Sequence, residues 1–421
     1  MGTTNDEEQS AVKRRRLEAT LSFRINLPFC SGAEQMSAKV CLSRLKKRRK
    51  IIGTIIPIVF VQFAWWAYML SNTNLMGTIF LERVGDYGLP RYIMSIVMVF
   101  GSMIAGATSE GGASVAFPVM TLALNIDPVT ARDFSLMIQT VGMTAAAITI
   151  LSINVLLERN TIMWVSIGGA FGIIVGLECI APMLPPAFAK MYFVVIWAAF
   201  ALSLYFLNTN RHRHVYNSIQ NWHSNFCENW RRLAILFTGF VGGILSSISG
   251  SGIDICSFAV ITLLFRVSEK VATPTSVVIM AINTSIGFFW RACIQQQIEV
   301  EAWRYFAVCI PVVVLGAPVG SVISSYLDRL CLARIIYILD SMQLVIAVAI
   351  IKPWSSLYLS LSSVLIFFVF AYLFFQLSSA GLNLMNKFPE MGPKNIGKKE
   401  AMEIIVTNKQ SESIDPTEIM V

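Results

Sequence analysis

At 421 residues, 55% hydrophobic and 14% charged, with a mean hydropathy of +0.63, the chain is too apolar for a water-soluble fold and has room for many bilayer crossings of about 20 residues each. The net charge of +8 does not point to a nucleic acid partner, because residues 1–50 hold twelve Lys and Arg against five Asp and Glu, which is +7. What remains is a nearly neutral membrane body, and the composition excludes a soluble enzyme.

The basic runs Lys13-Arg14-Arg15-Arg16 and Lys46-Lys47-Arg48-Arg49-Lys50 make residues 1–50 a cytoplasmic tail by the positive-inside rule, with affinity for anionic lipid. Fifty polar residues are not the short basic start of a signal peptide, so Ile51 to Leu70 reads as a retained helix, followed by a polar loop that completes residues 51–91. Apolar segments then follow at 92–108, 114–124, 131–151, 161–181 and 187–207, a first repeat over residues 92–207. A polar connector, 208–232, carries His212, His214 and His223. The pair His212-x-His214 could bind a metal but has no carboxylate or cysteine partner nearby, so no metal is expected there, and no other cofactor is indicated anywhere in the chain. The pattern recurs at 233–248, 254–265, 271–293, 303–325 and 331–351, a second repeat over 233–351. A last helix lies within 352–378, and 379–421 is a polar tail.

The recurrence extends to identities. At an offset of 141, Gly101/Gly242, Gly111/Gly252, Phe117/Phe258, Thr121/Thr262, Ala131/Ala272 and Ser135/Ser276 coincide, and at 144 Gly172/Gly316 and Gly176/Gly320 do. In each half the first apolar run is interrupted, by Ser109-Glu110-Gly111-Gly112 and by Ser249-Gly250-Ser251-Gly252. An unpaired backbone amide in hydrocarbon costs several kcal/mol, so such a break survives only where it is buried in protein or lines a cavity. Breaks at matching positions in two halves are a pointer to a transporter's substrate site. If each break is the tip of a hairpin, three further crossings per repeat follow, and the halves are inverted. Lys and Arg then collect on the cytoplasmic side with both termini. The expected fold is an all-α polytopic membrane protein of two inverted repeats, each a broken-helix hairpin plus three transmembrane helices, with one extra helix at each end.

The candidate substrate residues are Ser109, Gly111, Gly112, Ser249, Gly250, Ser251 and Gly252. The glycines permit a tight turn and close ligand approach, and short helices starting there aim free amides at an anion. Gln139 and Asn283, inside the following helices, read either as interhelical hydrogen bonds or as substrate contacts. Gly168, Gly172, Gly176, Gly316 and Gly320 are spaced for close helix crossing. Charges within apolar segments mark function more sharply: Glu110 and Asp254 border the breaks, and Glu178 and Asp340 sit within helices. Arg291, Lys190 and Arg334 lie nearer helix ends and read as snorkelling side chains. Trp65, Trp164, Trp303 and Trp354 read as interfacial anchors.

The duplicated unit, its glycine-rich breaks, the stretch Val271-Ala272-Thr273-Pro274-Thr275-Ser276 and the following GxxxG together resemble the sulfite exporter TauE/SafE family, also called the 4-toluene sulfonate uptake permease group, over roughly residues 92–351. The resemblance implies a secondary transporter of small sulfur-containing anions such as sulfite, thiosulfate or organosulfonates. Glu110 and Asp254 depart from the family's usual glycine run, and carboxylates beside an anion site suggest coupling to a proton or sodium, or a changed substrate. The alternatives are a transport-inactive membrane receptor or scaffold that keeps the fold, and a carrier of another small organic anion. No nucleophile with a base and no metal ligand set lies in the apolar segments, so an enzyme is not expected, and the absence of GxxxxGK[ST] argues against ATP-driven pumping.

Overall fold

The computed structural model describes residues 54–56, 58–71, 79–84, 88–108, 110, 112–209 and 225–387. The basic tail, the three histidines, the end of the C-terminal tail, Ser109 and Gly111 lie outside the described residues. By its contacts the chain divides into Met1–Ile55, of which only residues 54 and 55 are described, and Ile56–Val421.

The described chain is almost wholly helical, and nine of its helices are long and apolar enough to cross a membrane. Helix α1 is Thr54–Ser71. A two-residue antiparallel ladder, β1 (Arg83–Val84) with β2 (Leu89–Pro90), follows in the polar loop. The first repeat comprises α2 (Tyr92–Ala107), α3 (Ala113–Pro118, continued by the π-helical turn Val119–Ala123), α4 (Pro128–Ile153), α5 (Arg159–Val175, running on to Met183) and α6 (Pro186–Thr209). The second comprises α7 (Asn225–Ser249), α8 (Ile253–Ala259 with the π turn Val260–Leu264), α9 (Glu269–Phe289 with Trp290–Gln295), α10 (Val300–Tyr326) and α11 (Arg329–Ile351). Helix α12 is Leu357–Lys387. It runs nearly ten residues past the end read from hydropathy, and α7 starts eight residues before its apolar run, because polar turns continue both helices.

The duplication reaches single hydrogen bonds. Both short arms end in a π turn, with Thr121 Oγ1 donating to Phe117 O and Thr262 Oγ1 to Phe258 O, each at 2.7 Å. Each is closed by a left-handed residue, Asn125 (φ 53°) and Arg266 (φ 55°), again 141 apart. Helix α4 starts where Asp127 Oδ2 accepts from Val129 N, with Pro128 at its first position, and α9 starts where Ser268 Oγ accepts from Lys270 N. Such caps satisfy amides that no helical carbonyl reaches.

Packing between the halves is reciprocal. Helix α5 crosses α7 and α10 crosses α2, while α4 and α9 pack on each other at the centre. The glycine spacing explains the crossings. A Cβ on Gly172 would overlap the carbonyl oxygen of Phe240, one on Gly243 that of Gly169, and one on Gly320 that of Met103. Backbones approach this closely only where side chains are absent.

The polar contacts sort to two ends of the bundle. At one end Arg91 donates to Glu82 and, with two nitrogens, to Glu301, and Arg304 adds a second cation to Glu82. The Arg91 hydrogen bond holds the Glu82 carboxyl below the usual carboxylate range. Thr130 donates to Glu299, and Lys190 Nζ to Thr121 O at 2.9 Å, at this same end. Lys190 therefore caps the first hairpin and does not snorkel. At the other end Lys270 lies 3.8 Å from Asp328, Thr275 Oγ1 accepts from Glu158 N, and Arg266 donates to Ser378 O. Trp65 is not an interfacial anchor. It is buried, and its Nε1 donates to Ala307 O at 2.8 Å. Trp303 and Trp354 are exposed, as anchors require.

Candidate functional site

The two breaks, far apart in sequence, meet inside the bundle. Ser251 Oγ is 3.4 Å from Glu110 O, and Gln139 Nε2 donates to Gly250 O at 2.9 Å, so a residue of the first repeat braces the turn of the second. Gly250 has φ +86°, a conformation that favours glycine, and a side chain there would strike Ser135 and the carbonyl of Arg132. Gly252 is extended, and its requirement is space, since an added Cβ would lie 2.8 Å from the Ser246 amide nitrogen. Gly112 needs neither. Its φ is −69°, and a Cβ would meet Gln139 Cγ at an ordinary 3.5 Å. The freedom expected of Gly112 is thus not used in this structure.

The serine hydroxyls are already engaged. Ser249 Oγ donates to Ser251 O at 2.9 Å, and Ser251 Oγ donates to Asp254 Oδ2. The first amide of α8, Ile253 N, is taken by Ser246 Oγ. Asp254, in the first turn of α8, also places a carboxyl group at this helix start.

Glu110, Asp254 and Asp340 are fully buried, and their carboxyl groups converge: Glu110 feels the charges of both Asp340 and Asp254. Among the described residues no Lys, Arg or His forms an ion pair with any of them, and no donor outside the cluster reaches Glu110 or Asp340. Asp340 comes from the middle of α11, more than eighty residues after the second break. Its burial in an apolar helix was the only signal that sequence offered. Glu178 is not part of the group; it is exposed, accepting from Trp290 Nε1 at 2.6 Å and Gln295 Nε2 at 2.9 Å. Asn283 is buried with both side-chain polar atoms unpartnered among the described residues, and its Oδ1, like Ile253 Cδ1 from the start of α8, lies over Gly169 of α5. An amide with no interhelical partner does not serve as glue, which leaves it open to a ligand.

A second buried cluster went unread in the sequence. Asp133 Oδ1 accepts from Arg132 Nε and Nη2 and from Arg291 Nε, at 2.9–3.0 Å, and its Oδ2 accepts from Arg291 Nη2 at 2.5 Å. Arg291 does not snorkel; it is 5% exposed and ties α9 to the second turn of α4. Two guanidinium groups share one carboxylate, so the cluster carries one net positive charge. Asp133→Asn leaves both cations buried without a counter-charge, which costs about 3–5 kcal/mol. Thermal unfolding in detergent should show a large fall in midpoint for Asp133→Asn and a much smaller one for Arg132→Gln, which leaves a balanced pair; equal falls would refute this account.

A family model described as sulfite exporter TauE/SafE matches residues 94–350, more than half of the chain and both repeats. The chain belongs to the TauE/SafE family. No curated protein and no solved structure matches it. TauE/SafE proteins are membrane transporters of sulfur-containing anions such as sulfite, not enzymes. With nine spanning-length helices among the described residues, this TauE/SafE member is an integral membrane protein, and its matched region contains both breaks, the carboxyl cluster and the Arg132–Asp133–Arg291 group.

Proposed function

We propose that this protein is a secondary transporter of a small sulfur oxyanion, driven by a proton or sodium gradient through Glu110, Asp254 and Asp340, and working by alternating access between two inverted repeats. The observation that carries the reading is the meeting of both helix breaks at three buried carboxyls that no Lys, Arg or His among the described residues pairs with. Charge of one sign concentrated in a low-dielectric interior is unfavourable, so protons or a metal cation must accompany it. An anion arriving beside these groups needs the same balancing charge, and that shared need couples the two fluxes. Asn283, with its amide unpartnered, and Gln139, whose Oε1 is free, are the neutral groups placed to contact the substrate.

The inverted arrangement is supported by the two ends of the bundle. The first hairpin opens beside Lys190 and Asp127, and the second opens beside Arg266 and Lys270, at the opposite end of α4. The positive-inside rule assigns the end with Lys270 and Lys387, together with both termini, to the cytoplasm.

The test is uptake of labelled sulfite, thiosulfate, sulfate, taurine and acetate into vesicles reconstituted with purified protein, under an imposed proton or sodium gradient. Accumulation of a sulfur oxyanion above its external concentration is expected. A protein that inserts yet moves none of these would be a receptor or scaffold, and preference for acetate would make it a carboxylate carrier.

A further inference from the structure

Two cavities occupy equivalent places in the two repeats. One lies at the start of α4, lined by Val129 and Arg132, the end of α5 at Ala181 and Leu184, and Ile248 just before the second break; its volume is about 30 Å³. The other lies at the start of α9, lined by Lys270, Thr273, Ser321 and Ser325, the last two at the end of α10; its volume is about 310 Å³. At the offset of 141, Val129 corresponds to Lys270 and Arg132 to Thr273, and α5 corresponds to α10. The cavities are therefore counterparts at opposite ends of the bundle. One has closed to the size of about two water molecules while the other admits a small oxyanion with water around it.

Each has one cation within the first two turns of its long helix, displaced by three residues between repeats. Arg132 uses Nε and Nη2 on Asp133, and its Nη1 makes no hydrogen bond to the described residues. Among the described residues the one carboxylate paired with Lys270 is the almost fully exposed Asp328, at 3.8 Å, and a larger cleft of about 540 Å³ lined by Lys270, Asp328 and Arg334 adjoins it. Thr273 is among the residues lining the open cavity, and its Oγ1, on a residue 1% exposed, has no hydrogen-bond partner among the described residues, an unmet buried polar group that points to a ligand.

We propose that these cavities are the two mouths of one anion path, with Arg132 and Lys270 the cations that meet the substrate oxyanion on opposite faces. This deepens the transport reading and rests on it. The Lys270 cavity is the wide one and the Arg132 cavity, whose guanidinium is held by Asp133, is the narrow one, as alternating access requires of a single conformation. A cation at a narrow mouth with low-dielectric walls raises the local concentration of anions.

Two measurements test it. In right-side-out and inside-out vesicles assayed separately with labelled sulfite, Lys270→Gln should raise KM roughly tenfold from one face only and Arg132→Gln from the other face only. A shift from both faces, or from neither, overturns the proposal. Independently of any transport, Thr273→Cys in a cysteine-free background should react with a sulfonate-bearing thiosulfonate reagent roughly tenfold faster when Lys270 is present than in Lys270→Gln, with the ammonium-bearing reagent showing the reverse order. Loss of that charge preference overturns the mouth even if sulfite is carried. Its presence in a protein that carries no sulfur anion upholds the mouth and refutes the substrate assignment instead.

Discussion

Glu110→Gln combined with Asp254→Asn should leave a protein that still binds its anion but no longer concentrates it. Both changes keep size and hydrogen-bonding capacity and remove the charge that the buried cluster must balance, so the driving ion loses its site. One elementary charge moved across 100 mV is worth about 2.3 kcal/mol, enough for roughly 50-fold accumulation. The double variant should fall to simple equilibration, with uptake indifferent to the pH or sodium gradient. Because Asp340 faces Glu110 in the same buried group, Asp340→Asn alone should weaken the coupling, whereas Glu178→Gln, on an exposed carboxylate bound to Trp290 and Gln295, should leave it intact. A double variant that still accumulates sulfite with unaltered ion dependence would make the three acids structural.

Gly252→Val should abolish transport while Gly112→Ala is tolerated, although the two glycines occupy matching breaks. At Gly252 an added Cβ lies 2.5 Å from Leu245 Cβ and 2.8 Å from backbone atoms of Leu245 and Ser246, so α7 itself must shift. Ser246 Oγ holds the first amide of α8, and that shift also breaks the anchor of the short arm. Overpacking of this kind costs about 1–3 kcal/mol and moves Ser251 and Asp254 away from Glu110. The alanine at Gly112 meets only Gln139 Cγ at 3.5 Å. Sulfite uptake at matched membrane expression should fall by an order of magnitude or more for Gly252→Val and by less than twofold for Gly112→Ala, since an ordinary van der Waals contact carries no overlap penalty. Equal effects would mean that the breaks do not differ as described.

The segments, the duplication and the two breaks were legible in the sequence because each depends on local chemistry. A run of apolar residues long enough to span hydrocarbon, a glycine spacing that lets backbones touch, and a polar interruption that hydrocarbon would not tolerate all act over a few residues. Repetition at 141 residues then exposes the second copy. The caps at Asp127 and Ser268 and the π turns ending at Ala123 and Leu264 follow the same offset, so even local irregularity is duplicated. Which buried charges face one another depended on long-range packing. Asp340 and Glu178 look alike as acids in apolar helices, yet one lies against Glu110 and the other is exposed. Arg132 and Asp133, adjacent and close to a helix start, resemble any solvated pair until α9 brings Arg291 onto them. Lys190 and Arg291 resemble snorkelling cations until Thr121 O and Asp133 supply buried partners. A side chain's partner is set by the register and crossing of helices far apart in the chain, and helical periodicity assigns a residue a face but not the neighbour across it.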